Sequence, residues 1–406
     1  MRLLFVKTAL EWPRTTGHDV YCYHMMKALG ELGAEISLAT VDEVDPRAIE
    51  GVRVSCAGRL TDDARESPPG WRLTPLQERF RSYWGVSHGQ IEAVKRTAAA
   101  CRADVVIAFG LPALPYLAGV PDAVRAWAMA DEWVYHHLSR VSLRDPGSWI
   151  NLKEAVIKGL YERAYRPLID RIWAVSEADR RAARWFAGIR EADLLPNGVD
   201  TVFYQPQAQP VIPTSAVFWG RLDFGPNLDA LRWFCLRIWP GIIRRVPTAR
   251  FTIIGYAPTP EIERLAAQPG IALVPNAPDL RAAVCQHTVV VLPFVSGGGI
   301  KNKLLEGAAL GRPIVCTPQA CKGLQHDGVL PIVLATSARD WVERVISLWS
   351  DADQCAELGR QARRWVSRYY SWSTPARDAL EAFQRALAAR GKNATEDRAE
   401  IRVTDL

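Results

Sequence analysis

Apolar positions along this chain fall into two alternating patterns. Short, nearly continuous apolar runs predict buried strands at residues 3–6, 35–40, 52–55, 104–108, 124–129 and 171–175. Between most of them the apolar residues recur at helical spacing, over 19–32, 76–100 and 152–168. The cycle then restarts. Strands are predicted at 215–219, 250–254, 271–274, 288–293, 313–317 and 330–334, with helices over 227–238, 259–267, 304–310 and 338–348. Helical patterns continue from 353 to 389. Strand–helix alternation implies parallel sheets with helices on both faces, and two series imply two doubly wound α/β domains. Residues 203–214, FYQPQAQPVIPT, hold three prolines and no charge and read as the linker between them. The expected domains are 1–202 and 215–370. A helix over 371–390 follows, and the polar tail 391–406 is expected to be disordered.

Composition fits this division. A chain of 406 residues, 49% hydrophobic, exceeds one ordinary core. No apolar run approaches the roughly 18 residues of a membrane span. The opening MRLLFVKTALEWPR reads as a buried first strand and has no small-residue cleavage site. Eight scattered cysteines without a CxxC pair suggest reduced thiols in a cytoplasmic protein and no zinc site. The net charge is +6, and residues 201–406 carry the excess, 24 basic against 18 acidic. That is too weak for nucleic acid. It suits an anionic small ligand in the second half or an anionic membrane surface.

Candidate chemistry concentrates at 296–313, SGGGIKNKLLEGAALGRP. Gly298 and Gly299 let backbone approach a ligand closely. The helix that starts after Ile300 aims free N–H groups and its positive dipole end at the same space, where Lys301, Asn302 and Lys303 stand. This arrangement suits a phosphate. Glu306, about one turn in, suits a ribose diol, or is a solvated first-turn acid. Arg221, immediately after the strand 215–219, can fork onto a pyrophosphate or cap a helix end. Together these residues point to a nucleoside diphosphate.

Val175-Ser176, Pro196-Asn-Gly-Val-Asp200, Gly220-Arg221-Leu222, Ile254-Gly255 and the segment 297–313 resemble the GT-B glycosyltransferases of family 4 (group 1), in particular an exopolysaccharide-type subgroup. The resemblance covers most of the chain. It implies a GT-B architecture, with two Rossmann-like domains facing across a cleft and the helix 371–390 packing back on the first. It implies a retaining, metal-independent transfer of a sugar from a UDP- or GDP-sugar to a hydroxyl acceptor, with no other cofactor. Asn276 joins the donor-binding residues on the same ground. The expected acceptor is a glycan or a lipid-linked glycan, which would place the enzyme in the cytoplasm or on the inner face of the membrane.

The chain departs from the family at three points. The family usually carries two glutamates eight apart, and Gly298 stands eight before Glu306. A lysine common after the Gly-Arg pair is replaced by Gly225-Pro226-Asn227, leaving Lys301 or Lys303 to supply its charge. A first-domain histidine near the reacting carbon is absent from 129–133, which offers Asp131 and Glu132. Asp131 is therefore the candidate catalytic acid. In the first loop, which in the family faces donor phosphate and acceptor, Gly17 allows close approach and joins the donor-binding candidates, while His18 and Asp19 are candidate acceptor contacts; His18 reads equally as an ordinary first-turn residue. The missing first glutamate leaves a second reading open, a catalytically silent nucleotide-binding or partner subunit.

Overall fold

The structure, a computed structural model, describes residues 1–14, 16–62, 71–129, 133–138, 141, 146–186, 188, 192–296 and 300–404, the side chains of 135, 136, 146 and 391–404 excepted. The chain divides into two compact units, Met1–Pro196 with Trp372–Leu406, and Asn197–Ser371.

The first unit holds a parallel sheet of β1 (Arg2–Lys7), β2 (Glu35–Thr40), β3 (Val54–Arg59), β4 (Val105–Phe109), β5 (Val124–Ala128), β6 (Arg171–Ala174) and β7 (Ala192–Leu194), in the order β3-β2-β1-β4-β5-β6-β7. Its helices are α1 (Gly17–Glu31), α2 (Pro75–Tyr83), α3 (His88–Ala100), α4 (Trp133–Leu138), α5 (Ile150–Tyr165) and α6 (Glu177–Phe186). Successive strand residues face opposite layers. Leu4, Val6, Trp127 and Ile172 enter one core, while Leu3, Phe5 and Trp173 enter the other. The single helix expected over 76–100 is two helices. Gly85, at φ 66°, turns the chain between them, and capping boxes Thr74/Gln77 and Ser87/Gln90 start each one. Strand β7 was not foreseen, because three residues are too short for a pattern.

The second unit repeats the plan with β8 (Ile212–Arg221), β9 (Arg250–Tyr256), β10 (Ile271–Pro275), β11 (His287–Leu292), β12 (Ile314–Cys316) and β13 (Val333–Leu334), ordered β10-β9-β8-β11-β12-β13. Helices α7 (Gly225–Trp233), α8 (Trp239–Arg245), α9 (Pro260–Ala266), α10 (Leu280–Cys285), α11 (Asn302–Ala309), α12 (Ala338–Ser350) and α13 (Ala352–Tyr369) cover it. The helix expected over 227–238 ends in a π turn, Phe234–Ile238, that leads into α8. Phe234, Trp239, Phe251 and Trp341 pack together in the core.

The second unit begins at Asn197, ahead of the linker expected at 203–214. Val199 pairs with Ser371 and donates its N–H to the Tyr370 carbonyl (2.7 Å), so the chain's entry and exit strands are tied together inside this unit. The last helix, α14 (Ser373–Thr404), continues as helix over residues where the disordered tail was expected. It belongs to the first unit. Trp372 stacks on His24 (ring centroids 4.9 Å apart), and Phe383 packs on Trp173 (5.5 Å).

Candidate functional site

In an open parallel sheet ligands gather at the carboxyl ends of the strands, where the strand order reverses. In the second unit that point lies between the neighbours β8 and β11. Strand β8 ends in Gly220-Arg221, and the glycine segment and α11 follow β11. The topology therefore joins the two motifs singled out in the sequence.

Their contact depends on two glycines. Gly220 has φ +140°, and a Cβ there would lie 2.5 Å from Lys303 Cε and 2.6 Å from Nζ. The absent side chain is the space the lysine occupies. A Cβ on Gly255 would lie 1.9 Å from the Gly220 carbonyl oxygen, so the end of β9 also needs glycine. Lys303 Nζ donates to Asn227 Oδ1 (3.2 Å), and buried Asn227 donates from Nδ2 to the Arg221 carbonyl (2.6 Å). The ammonium lies 5.6 Å from the Phe218 ring centroid and 5.8 Å from that of Phe294. Burial pushes its pKa down to about 8 against the pull of Glu306, and nearby Lys301 lowers it further. A bound anion would reverse that shift.

Glu306 is no solvated first-turn acid. Its Oε2 accepts from Trp219 Nε1 (2.8 Å), and the Tyr204 hydroxyl also donates to the carboxylate. Burial raises its pKa, while the two hydrogen bonds and Lys303 hold it down. A carboxylate has lone pairs beyond these two donors and can still take a hydroxyl. Neither Tyr204 nor Trp219 was foreseen. Tyr204 lay in the presumed linker and Trp219 in a buried strand, and no local signal marks either as a partner of residue 306.

The other candidates fall in varied places. Arg221 forks onto Asp223 (Nε–Oδ1 2.5 Å, Nη2–Oδ2 2.9 Å) and is half exposed. Ile300 is buried and anchors the start of the helical segment. Lys301 is the N-cap of α11 and makes no side-chain cap bond; its Nζ lies 5.4 Å from the Phe294 centroid. Asn302 Oδ1 accepts from Asn197 Nδ2 (2.8 Å). Asn276 sits just past β10, at φ 53°, and β9 separates it from β8. Gly298, Gly299 and Asp131 lie outside the described residues.

In the first unit Gly17 is the exposed first residue of α1. The His18 ring lies against Gly110, where a Cβ would come within 3.5 Å of Nδ1, and 6.5 Å from the Trp133 ring. Asp19, expected at the acceptor, instead turns inward. Its carboxylate is buried against Lys7 Nζ (2.8 Å) and accepts from Thr16 Oγ1 (2.5 Å), because Lys7 at the end of β1 is itself largely covered and needs a counter-charge.

Residues 213–351 match the family described as Glycosyl transferases group 1. That span contains β8, Arg221, Lys303 and Glu306. A search of curated protein sequences returns no match. Among solved structures, the chain resembles HepE from Anabaena in complex with UDP and glucose, with 14% identity over 94% of this chain and 99% of that one and a TM-score of 0.65. It also resembles sucrose-phosphate synthase from Thermosynechococcus elongatus, with 15% identity, 96% and 99% coverage and a TM-score of 0.67. A variant of S. aureus TarM in complex with Fondaparinux, alpha-GlcNAc-glycerol and UDP gives 10% identity, 94% and 99% coverage and a TM-score of 0.65.

Proposed function

We propose that this chain, a GT-B glycosyltransferase, moves a sugar from UDP-sugar to a hydroxyl of a glycan or lipid-linked glycan, with retention at the anomeric carbon. The observation that carries the reading is Lys303. Its ammonium is lodged over Gly220 at the switch point of the second sheet, with its charge disfavoured until an anion arrives. Solved relatives of the same fold hold UDP, which favours uridine as the base.

The chemistry follows from the charges. As the glycosidic C–O bond breaks, negative charge builds on the β-phosphate. Lys303 and the first-turn N–H groups of α11 stabilise that charge, with Lys301 at the same helix start. Once Arg221 leaves Asp223 it adds a bidentate donor. Glu306, held by Trp219 and Tyr204, accepts from the ribose hydroxyls. The acceptor hydroxyl attacks on the face the diphosphate leaves, and a phosphate oxygen takes its proton. No side-chain nucleophile is needed. In the first unit Gly17 is the donor-side candidate and His18 the acceptor-side one. Assembly of an extracellular polysaccharide is the role we assign, on the subgroup motif at 297–306.

Calorimetric titration with UDP, GDP, ADP and the matching nucleosides, paired with donor hydrolysis, tests the reading. UDP is expected to bind at least tenfold tighter than uridine, with slow hydrolysis of one UDP-sugar. Glu306→Gln is expected to lose most turnover and to weaken uridine itself. UDP binding without hydrolysis or transfer from any donor would favour the second reading, a silent nucleotide-binding subunit. Gly298 in place of the family's first glutamate favours that reading.

A further inference from the structure

Strand β12 ends at Cys316, and five residues on the chain brings a second cysteine back to the same place. Cys321 Sγ lies 2.8 Å from Cys316 Sγ. A covalent S–S bond measures about 2.05 Å, so the two atoms need to close by less than about 1 Å to join. The turn between them is already fastened. Thr317 Oγ1 donates to the Phe294 carbonyl (2.6 Å), the Ala320 N–H donates to the Thr317 carbonyl (3.0 Å), and the Cys321 N–H donates to the Pro318 carbonyl (3.3 Å). These bonds hold the main chain on either side of the pair and bring the sulphurs together without a link between them. The spacing, with four residues between the cysteines, lies outside the CxxC pattern and leaves no mark in the sequence.

The two sulphurs differ in access. Cys316 is buried and Cys321 is partly exposed. The hydrogen bond to Cys321 and burial push the Cys316 thiol well above the ordinary thiol range. A buried, protonated thiol is a poor first target for an oxidant, and its exposed neighbour is the better one. Once Cys321 is oxidised, Cys316 is the nucleophile within reach. We propose that Cys321 and Cys316 form a peroxide-reactive pair that closes to a reversible disulfide, Cys321 taking the oxidant and Cys316 resolving it. The Cys321 thiolate attacks one peroxide oxygen, the O–O bond breaks, and a sulfenic acid and hydroxide result. The hydroxide takes the proton that Cys321 gave up. Cys316 sulphur then attacks Cys321 sulphur, the S–O bond breaks, and the departing hydroxide leaves as water with the Cys316 proton. The pair gives up two electrons, and one peroxide becomes two waters. A low-molecular-weight thiol reopens the bond by exchange, two thiols becoming one disulfide. A sulfenic acid without a partner goes on to sulfinic acid, which thiols do not reverse. The pair thus spares a turn whose Thr317 holds the carbonyl of Phe294, the residue beside Lys301 and Lys303.

The test is independent of nucleotide binding. The full chain is treated with one equivalent of hydrogen peroxide near neutral pH, alkylated under denaturing conditions and digested with trypsin. Residues 304–322 leave as one peptide carrying both cysteines, because Arg312 precedes a proline. In the parent that peptide is expected to lose the mass of two hydrogen atoms, to take no alkyl group, and to regain two alkylatable thiols after glutathione. In Cys316→Ser, dimedone (a probe for sulfenic acid) is expected to mark Cys321. In Cys321→Ser, Cys316 is expected to take neither dimedone nor a disulfide. The reading on the parent needs no variant, so it stands even where a serine in the core prevents folding. Two alkylatable thiols in the peroxide-treated parent peptide overturn the proposal. So does sulfinic acid on Cys321 of the parent, or a disulfide from Cys321 to a cysteine of another peptide.

Discussion

Lys303 sits where burial opposes its charge, and under the proposed function this makes donor binding dependent on pH. Its folded pKa, about 8, lies below the value of 10.5 for a free lysine. Between those values the unfolded chain holds a proton that the folded chain lacks, so ligand-free stability from this group rises with pH and is lost as pH falls through about 8. Binding a diphosphate favours the ammonium and inverts the preference. UDP affinity is therefore expected to be flat below pH 8 and to decline above it, toward the level of Lys303→Ala. Titration of parent and variant across pH 6.5–9.5 checks this, and a decline of equal slope in the variant would exclude the lysine. At pH 7 Lys303→Ala is expected to weaken UDP about 10- to 150-fold, the worth of a charged hydrogen bond, and to leave uridine nearly unaffected. The sequence singled out Lys303 as a candidate phosphate contact, because a glycine run before a helix is a local signal. It did not show Tyr204 and Trp219 holding Glu306, because those contacts join residues 102 and 87 positions away from it in the chain. The ion pair of Asp19 was hidden in the same way: the family resemblance set it at the acceptor, whereas its partner Lys7 lies in the preceding strand, twelve positions away.

The strand ends set the precision of the site. Gly220 and Gly255 serve the same junction by different means, and alanine separates them. At Gly220 an added methyl group meets the flexible end of Lys303 and, at 3.3 Å, the Asn227 side-chain amide, so packing can adjust mainly by moving the ammonium. The φ of +140°, a region used almost only by glycine, costs about 1–3 kcal/mol. Gly220→Ala is thus expected to fold with a modest loss of stability and to lose UDP affinity about as Lys303→Ala does. At Gly255 the methyl group meets main-chain atoms of β8, which cannot step aside. Gly255→Ala is expected to lose clearly more stability, read as a larger fall in the urea midpoint. Apart from β7, the strands of both sheets were legible because buried parallel strands are continuous apolar runs. The break between α2 and α3 was legible too, in Thr74-x-x-Gln77 and Ser87-x-x-Gln90, but a continuous helical period across 76–100 masked it.

At the scale of the molecule, the first unit is built from two stretches of chain separated by the whole of the second. Phe383 fills part of the layer around Trp173, and Trp372 lies against Tyr21 and His24. Phe383→Ala is expected to destabilise the first unit by about 3–5 kcal/mol, as core phenylalanines do, while UDP affinity, which the proposed function assigns to the second unit, stays within twofold. Thermal unfolding followed with and without UDP distinguishes the two effects. The two motif clusters of the second half were readable as one site because both follow strands of one sheet; the return of the chain to its first unit was foreseen only through a family resemblance. That return also governs how the polypeptide matures on the ribosome. The segment Asn197–Ser371 is complete, with all six of its strands, before α14 has been synthesised. The amino-terminal half, although made first, must wait with one layer of its sheet only partly covered, by α1, until Trp372 and Phe383 emerge. The usual amino-to-carboxyl order of domain completion is reversed, and the half to which the proposed function assigns the nucleotide is the first part of the newborn chain to be completed.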